Sequence, residues 1–98
     1  MHPKRKARLL RQLGFPSADA ALSEFTLLTA ATQLAQFREE CARFEKKYGT
    51  SLDAFERRIK KERGHECFAA EEDLMAWRFA RDGMEYWAPR VEELRRAV

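Results

Sequence analysis

Cysteine and histidine are scarce in this sequence, and their scarcity excludes several kinds of site. The 98 residues contain two cysteines and two histidines. Cys41 and Cys67 lie 26 positions apart, which fits neither a disulfide-rich secreted domain nor a paired-thiolate metal site. We expect both to be small buried apolar side chains. A cysteine or serine nucleophile would need a base, and neither His2 nor His65 lies in a recognisable catalytic motif.

Long apolar runs and glycine-rich loops are also missing. The longest apolar run spans only a few residues, so we expect no transmembrane helix. No apolar segment follows the basic N-terminal residues as a signal peptide would require. No glycine-rich phosphate-binding loop occurs. The sequence therefore predicts a cytoplasmic protein that is not an enzyme, binds no cofactor and does not enter a membrane.

Two short clusters contain residue types that bind metals, but neither has a suitable arrangement. His65, Glu66 and Cys67 are consecutive, so their side chains cannot easily converge on one ion. The acids at 71–73 stand near the expected start of a helix, where the helix dipole already favours negative charge. We expect no metal site at either place.

Strand patterns are absent, and helical spacing of apolar residues takes their place. Apolar and polar residues never alternate for long, and no Asn-Gly hairpin dipeptide occurs. One apolar series has an average spacing of 3.5 residues, which is typical of a coiled-coil seam. Its members are Leu27, Ala31, Leu34, Phe37, Cys41, Phe44 and Tyr48. The pattern predicts an all-α fold, an antiparallel helical hairpin or bundle with a long second helix and a long C-terminal helix, completed by oligomerisation.

The stretch from 37 to 59 contains a helix end, a tight turn and a helix start. Gly49 supplies the left-handed residue that closes a helix, and Lys46 and Lys47 occupy the last turn, where cations are favoured. Thr50 or Ser51 can cap the next helix. The residues that we expect in the core of this hairpin are Phe37, Phe44, Tyr48, Gly49, Phe55 and Ile59.

The remaining boundaries follow from caps and breakers. Residues 1–16 form a basic arm or a short helix that begins at Pro3 and ends at Gly14, and residues 17–98 form a single helical domain capped by Ser17. A break near Ser23 or Thr26 is left open, because the threonines that follow are weak helix formers. The third helix is expected at about 51–63, with Gly64 as its end.

The last helix begins near Phe68 and carries two apolar stripes. Pro89 removes one backbone hydrogen bond, so the helix is expected to kink at 85–88 or to split there. The first stripe comprises Trp77, Ala80, Met84, Trp87, Val91, Leu94 and Val98, and the second comprises Phe68, Met75, Phe79 and Tyr86. One hairpin partner cannot cover both stripes, so either another chain or the first long helix folded back should cover one of them. If it is another chain, we assign that interface to five side chains of the first stripe: Trp77, Met84, Trp87, Val91 and Leu94. The aromatic side chains Trp77, Phe79, Tyr86 and Trp87 are equally consistent with ordinary core.

Positive charge is concentrated at the N-terminus. Residues 1–16 have a charge of +5, so the net charge of +3 leaves the rest of the chain at −2. The cations are Lys4, Arg5, Lys6, Arg8 and Arg11. Such a cluster can contact a nucleic-acid backbone by displacing counterions, and it is equally typical of a solvated terminus, since no recognition motif accompanies it.

Two segments, FEKKYGTSLDAFERRI and FAAEEDLMAWRFARDGMEYW, together carry a wider pattern. A Phe-x-x-Lys-Tyr-Gly turn is followed by Phe-Glu-x-Arg, an acidic triple and a tryptophan. The pattern resembles small all-helical prokaryotic proteins identified as antitoxin-like partners of toxins, including TumE-like toxins. It covers residues 14–94 in layout and is dense from 37 to 87. The residues that carry it are Phe44, Lys47, Tyr48, Gly49, Phe55, Glu56, Arg58, Glu72, Asp73 and Trp77.

This resemblance implies a non-catalytic protein that sequesters a toxin-like partner encoded nearby. Pro89 and the basic arm depart from the family pattern, so the last helix need not bind a partner in the same way. Two other functions stay open: a self-assembling homo-oligomeric helical bundle, and a nucleic-acid-binding regulator that works through the basic arm.

Overall fold

The computed structural model describes residues 3–62 and 68–97, and within these ranges it contains α-helices and no strand. The helices are α1 (Pro3–Gln12), α2 (Ala18–Tyr48), α3 (Leu52–Lys61) and α4 (Phe68–Ala97). The two long helices, α2 and α4, pack antiparallel along each other. The prediction of an all-α helical hairpin with a long second and a long last helix is therefore confirmed.

The long helix α2 is unbroken through Ser23 and Thr26. The Ser17 hydroxyl caps it by accepting a hydrogen bond from the amide of Ala20 at 3.1 Å. The three threonines at 26, 29 and 32 each donate a hydroxyl hydrogen bond to the carbonyl four residues earlier, at 2.7–2.8 Å. These bonds occupy the hydroxyl groups within the helix itself, which accounts for the tolerance of weak helix formers here.

The turn between α2 and α3 has the expected chemistry. Gly49 has a φ of 63°, in the left-handed region, and its amide donates to the carbonyl of Glu45 at 2.8 Å. Of the two candidate caps, Ser51 caps α3, because its hydroxyl accepts from the amide of Ala54 at 3.2 Å. The helix ends at Lys61, slightly before the predicted end at Arg63. The expectations for Gly64 and for the sequence His65-Glu66-Cys67 lie outside the described residues.

Pro89 lies inside α4, which continues past it to Ala97, so the predicted alternative of a split helix is wrong. The Arg90 guanidinium donates to the carbonyl oxygen of Tyr86 at 2.6 Å. Pro89 has no amide to donate to the carbonyl of Glu85, and the Arg90 bond lies on the next carbonyl along the helix. Among the described helices, none is both long and apolar enough to cross a membrane.

The core consists of two separate clusters along the hairpin. The closed-end cluster, beside the α2–α3 turn, contains Cys41, Phe44, Leu52, Phe55, Leu74, Trp77 and Ala80. The open-end cluster, at the other end of the hairpin, contains Ala30, Leu34 and Val91. Met84 packs against both clusters. Of the residues expected in the hairpin core, Phe44 and Phe55 are buried, and Phe37, Tyr48 and Ile59 are half-buried against the closed-end cluster. The placement of Gly49 in the core was wrong, because it is exposed in the turn.

The molecule is long and thin. Its principal extents are 66 × 26 × 17 Å and its radius of gyration is 20.4 Å, whereas a compact domain of this length has a radius of gyration of about 13 Å. The shape follows from the hairpin, because α2 and α4 have each other as their main partner and α3 covers only one end. A large part of each long helix therefore faces outward.

Candidate interaction surface

Helix α3 covers one side of the hairpin at its closed end. The ring of Phe55 lies 4.1 Å from that of Tyr48 and 5.5 Å from that of Trp77, measured between centroids. The Nε of Arg78 donates to Glu56 at 2.6 Å. Arg78 and Leu74 flank Trp77 on the same side of α4, and this side is the one that α3 protects.

A polar contact joins α2 to the start of α4. The Nζ of Lys47 lies 2.7 Å from Oδ2 of Asp73, and the hydroxyl of Tyr48 donates to the same oxygen. The Lys47 and Tyr48 hydrogen bonds hold the pKa of Asp73 below its usual value, and the bond to Asp73 raises the pKa of Tyr48. Asp73 is thus engaged in a structural contact, and the described residues contain no group of three side chains that could hold a metal ion.

The interface that the sequence assigned to the first stripe of α4 needs correction. Trp77 and Val91 are 1% and 2% exposed and lie in the chain's own core. Met84, Trp87 and Leu94 are half-buried and pack against the open-end cluster. From Trp77 to Leu94 the first stripe therefore faces α2, and only its half-buried members retain surface for another chain.

The second stripe faces outward instead, and we call it the outer stripe. Its members are Phe68, Met75, Phe79 and Tyr86, with exposed fractions of 72%, 70%, 69% and 51%. Acids at 72, 82 and 93 interrupt this side of α4 at helical spacing. Turning it inward would bury these carboxylates, which is costly, so the uninterrupted first stripe faces α2.

A groove between the two long helices opens near the outer stripe, at the open end of the hairpin. Its volume is about 520 Å³. The lining residues from α2 are Phe25, Thr26, Thr29 and Ala30, and those from α4 are Trp87, Arg90, Glu93, Leu94 and Ala97. Apolar side chains dominate the lining, and Arg90 and Glu93 supply one charge of each sign.

A second, smaller groove of about 290 Å³ lies towards the closed end. Gln36, Phe37 and Glu40 of α2 and Ala76, Phe79 and Ala80 of α4 line it. The α2 residues that line the two grooves recur at helical spacing (25, 29, 36 and 40), so both grooves open on one side of the hairpin. This side lies opposite α3, and we call it the open face.

The part of α2 along the open face carries no charge. No Asp, Glu, Lys or Arg occurs from Phe25 to Phe37, although 36% of the chain is charged. Phe25 is 67% exposed there. Because the threonine hydroxyls bond within the helix, the threonine side chains add little exposed polarity. Charge depletion is typical of interface centres. The uncharged run in α2 is therefore the sequence signal for this face, and it is separate from the core seam.

The basic arm is a helix on the surface of the molecule. In α1, the side chains of Lys4, Arg5, Lys6, Arg8 and Arg11 are all exposed. Leu10 is half-buried and, with Ala18, Leu22 and Phe25 of α2, lines a shallow space between the two helices. The structure thus places five cations together, at the end of α2 that also bears the larger groove.

The buried cysteine of α2 has no sign of reactivity. Cys41 is a free thiol in the closed-end cluster. Burial, followed by the nearby carboxylates of Glu45 and Glu40, raises its pKa, which disfavours the thiolate. Cys41 is buried as the sequence predicted, while Cys67 lies outside the described residues.

Comparisons of the chain with models of protein families, with curated proteins and with solved structures gave no match, so the surface described above stands on its own geometry.

Proposed function

We propose that this protein is a non-catalytic helical interaction module that sequesters a partner protein through its open face, in the antitoxin-like manner that its sequence resemblance implies. The observation that carries the proposal is the outer stripe together with the adjoining groove. Four large apolar side chains of one helix stand more than half exposed, with acids between them at 72 and 82, and exposed apolar surface bordered by polar residues is typical of binding sites.

The shape of the open face favours a helical partner. Two antiparallel helices that lie side by side with a groove between them accept a third helix, whose apolar residues enter the groove at intervals of three and four. The charge-free part of α2 offers such a helix a surface without carboxylates or amines to desolvate. A protein that covers another chain's active site with helices would need a surface of this kind.

The test is co-expression with the protein encoded next to this chain's gene, followed by purification of the complex and measurement of its affinity. Phe79→Ser in the outer stripe should abolish or strongly weaken the complex. Leu28→Ser is the matched control, because Leu28 is also a large exposed side chain, but it lines a shallow groove on the other side of the hairpin with Leu27 and Arg95. A complex whose affinity is unchanged by Phe79→Ser, or the absence of any complex, would contradict the proposal.

A second candidate function is nucleic-acid binding through α1. The observation that favours it is the exposure of all five arm cations on one short helix. Binding of this kind weakens steeply with salt, because phosphate contacts release counterions. Neutralising Lys4, Arg5, Lys6, Arg8 and Arg11 to Gln should abolish binding to a duplex and flatten its salt dependence. Duplex binding that persists in this variant would exclude the arm as the contact.

A further inference from the structure

We infer that, when no other partner is present, a second copy of this chain covers the open face. The two hairpins then form a four-helix bundle in which the closed end of one copy lies over the open end of the other. This inference uses the same docking face as the proposed function and rests on it in that respect. It adds that capture of another protein competes with self-association.

The first argument is the available area. Aromatic side chains bury about 150–250 Å² each when fully covered. Six large apolar residues on the open face and its edges are more than half exposed: Leu22, Phe25, Phe68, Met75, Phe79 and Tyr86. At these exposures they offer roughly 700–900 Å² per chain, close to the about 800 Å² that each partner contributes to a standard stable interface.

The second argument is that the face is complementary to itself. The outer stripe protrudes mainly at the closed end, whereas the larger groove lies at the open end. Consider a two-fold axis that passes near Gly83, close to the middle of α4, and relates two copies running in opposite directions. This axis places the outer stripe of each copy over the larger groove of the other. Phe79 lies four residues before Gly83 and Trp87 four residues after it. Phe79 of one copy therefore comes level with Trp87 in the groove of the second copy, as an isologous interface requires.

The third argument is charge. Arg90, in the larger groove, lies seven residues after Gly83, and Ala76, seven residues before Gly83, lines the smaller groove together with Glu40. The same axis therefore brings Arg90 of one copy level with Ala76 of the second copy, in the groove that Glu40 also lines, twice in the dimer. Glu40 keeps its ion pair with Arg43 of its own helix there. Opposite charges across the two grooves favour this pairing, whereas the carboxylates at 72, 82 and 93 on the outer-stripe side oppose it if they are buried.

The experiment is solution mass by sedimentation and light scattering of the purified full chain over a wide concentration range. The expected mass is about twice that of the 11.5 kDa chain. Phe79→Glu and Met75→Glu should each raise the dimer dissociation constant by at least about 30-fold, the loss expected for a central anchor. Leu28→Glu should leave it unchanged. Helical content by circular dichroism verifies that each variant is folded.

Charge reversal at Arg90 and Glu40 tests the register of the dimer, because a general loss of stability would not be repaired by combining the two changes. Arg90→Glu and Glu40→Arg should each weaken the dimer, and the double variant should recover most of the lost affinity. Failure of the double variant to recover affinity would overturn the proposed register.

A monomeric mass at every concentration, or a dimer that is broken by Leu28→Glu but not by Phe79→Glu, would overturn the inference altogether. If the chain alone is monomeric but forms a mixed complex that is sensitive to Phe79, the inference fails and the proposed function stands. If the chain forms a dimer that Phe79→Glu weakens but forms no mixed complex, the inference stands and the proposed function fails.

Discussion

The ring of Phe37 in α2 lies directly against Gly83 of α4. A Cβ atom built on Gly83 would come within 2.6 Å of three ring atoms of Phe37, which is closer than side chains approach one another. The ring also meets Phe79 edge to face, at 5.6 Å between centroids. Gly83 therefore lets an aromatic ring of α2 cross the surface of α4 beside the outer stripe.

Gly83→Ala should destabilise the hairpin in spite of the better helix propensity of alanine. The propensity gain is about 1 kcal/mol, whereas overpacking costs about 1–3 kcal/mol. We expect a net loss of about 1 kcal/mol in the free energy of unfolding, measured by urea titration. Phe37→Leu combined with Gly83→Ala should recover part of this loss, and additive losses in the double variant would contradict the contact.

Trp77 and Phe79 are two positions apart on α4 but should respond very differently to truncation. Trp77 is 1% exposed and packs among the rings of Phe44, Tyr48 and Phe55, so Trp77→Ala should cost about 3–5 kcal/mol. Phe79→Ala should cost about 1 kcal/mol or less in the isolated chain, because its ring is largely in solvent already. Urea titrations at a concentration low enough to avoid association compare the two, and equal losses would refute the assignment of faces.

The contact of Lys47 and Tyr48 with Asp73 should make stability depend on pH in two regions. The pKa of Asp73 is lowered by its hydrogen bonds, so its contribution is present above the unfolded pKa of about 3.9 and is lost as the pH falls through the folded pKa. The pKa values of Lys47 and Tyr48 are raised by Asp73. Their contributions are present below the unfolded values of about 10 and are lost as the pH rises through the folded ones.

Thermal unfolding from pH 2 to 11 should therefore show a plateau near neutrality that falls at both ends. Asp73→Asn should lower the plateau and reduce the loss of thermal stability at both acidic and alkaline pH, because the carboxylate of Asp73 takes part in both. Glu71→Gln, at an exposed carboxylate two positions earlier, is the control and should leave the plateau in place. An unchanged pH profile in Asp73→Asn would exclude this contact as its source.

Cys41 should resist modification in the folded protein. Its thiol is buried and its pKa is raised, so a thiol reagent gains access only when the closed end opens. In a Cys67→Ser background, we expect the rate of modification to be at least about tenfold lower in native buffer than in denaturant. Modification at the same rate in both conditions would contradict the burial of Cys41.

Several elements were predictable because local chemistry determines them. Gly49 and Ser51 act within one turn of their own helices, and the α2 seam from Leu27 to Tyr48 has a spacing that only a lengthwise helix contact satisfies. The orientation of α4 was not predictable in the same way. Its two stripes have the same helical spacing, and the choice between them depends on which one leaves carboxylates such as Glu72 and Asp82 in solvent. That choice emerges only when α4 is placed against α2.

The open face was hidden from sequence reasoning for a related reason. Phe25 looks like a core residue when only its apolar character is considered, and the threonines that follow it look polar. In the structure the side chain of Phe25 is exposed, and the threonine hydroxyls bond to their own helix. A count of charges along α2 reveals the contrast, because the uncharged segment ends at Phe37 and the charged one begins at Arg38.

The uneven division of the core has a consequence for motion. The closed-end cluster holds seven buried residues and is fastened by α3, whereas the open-end cluster holds three. Amide hydrogens around Trp77 should therefore exchange with solvent only when the whole chain unfolds, and those around Val91 through local separation of the helix ends. The two long helices would then stay fixed relative to each other at the closed end, while their separation at the open end adjusts to whatever enters the groove between Phe25 and Leu94.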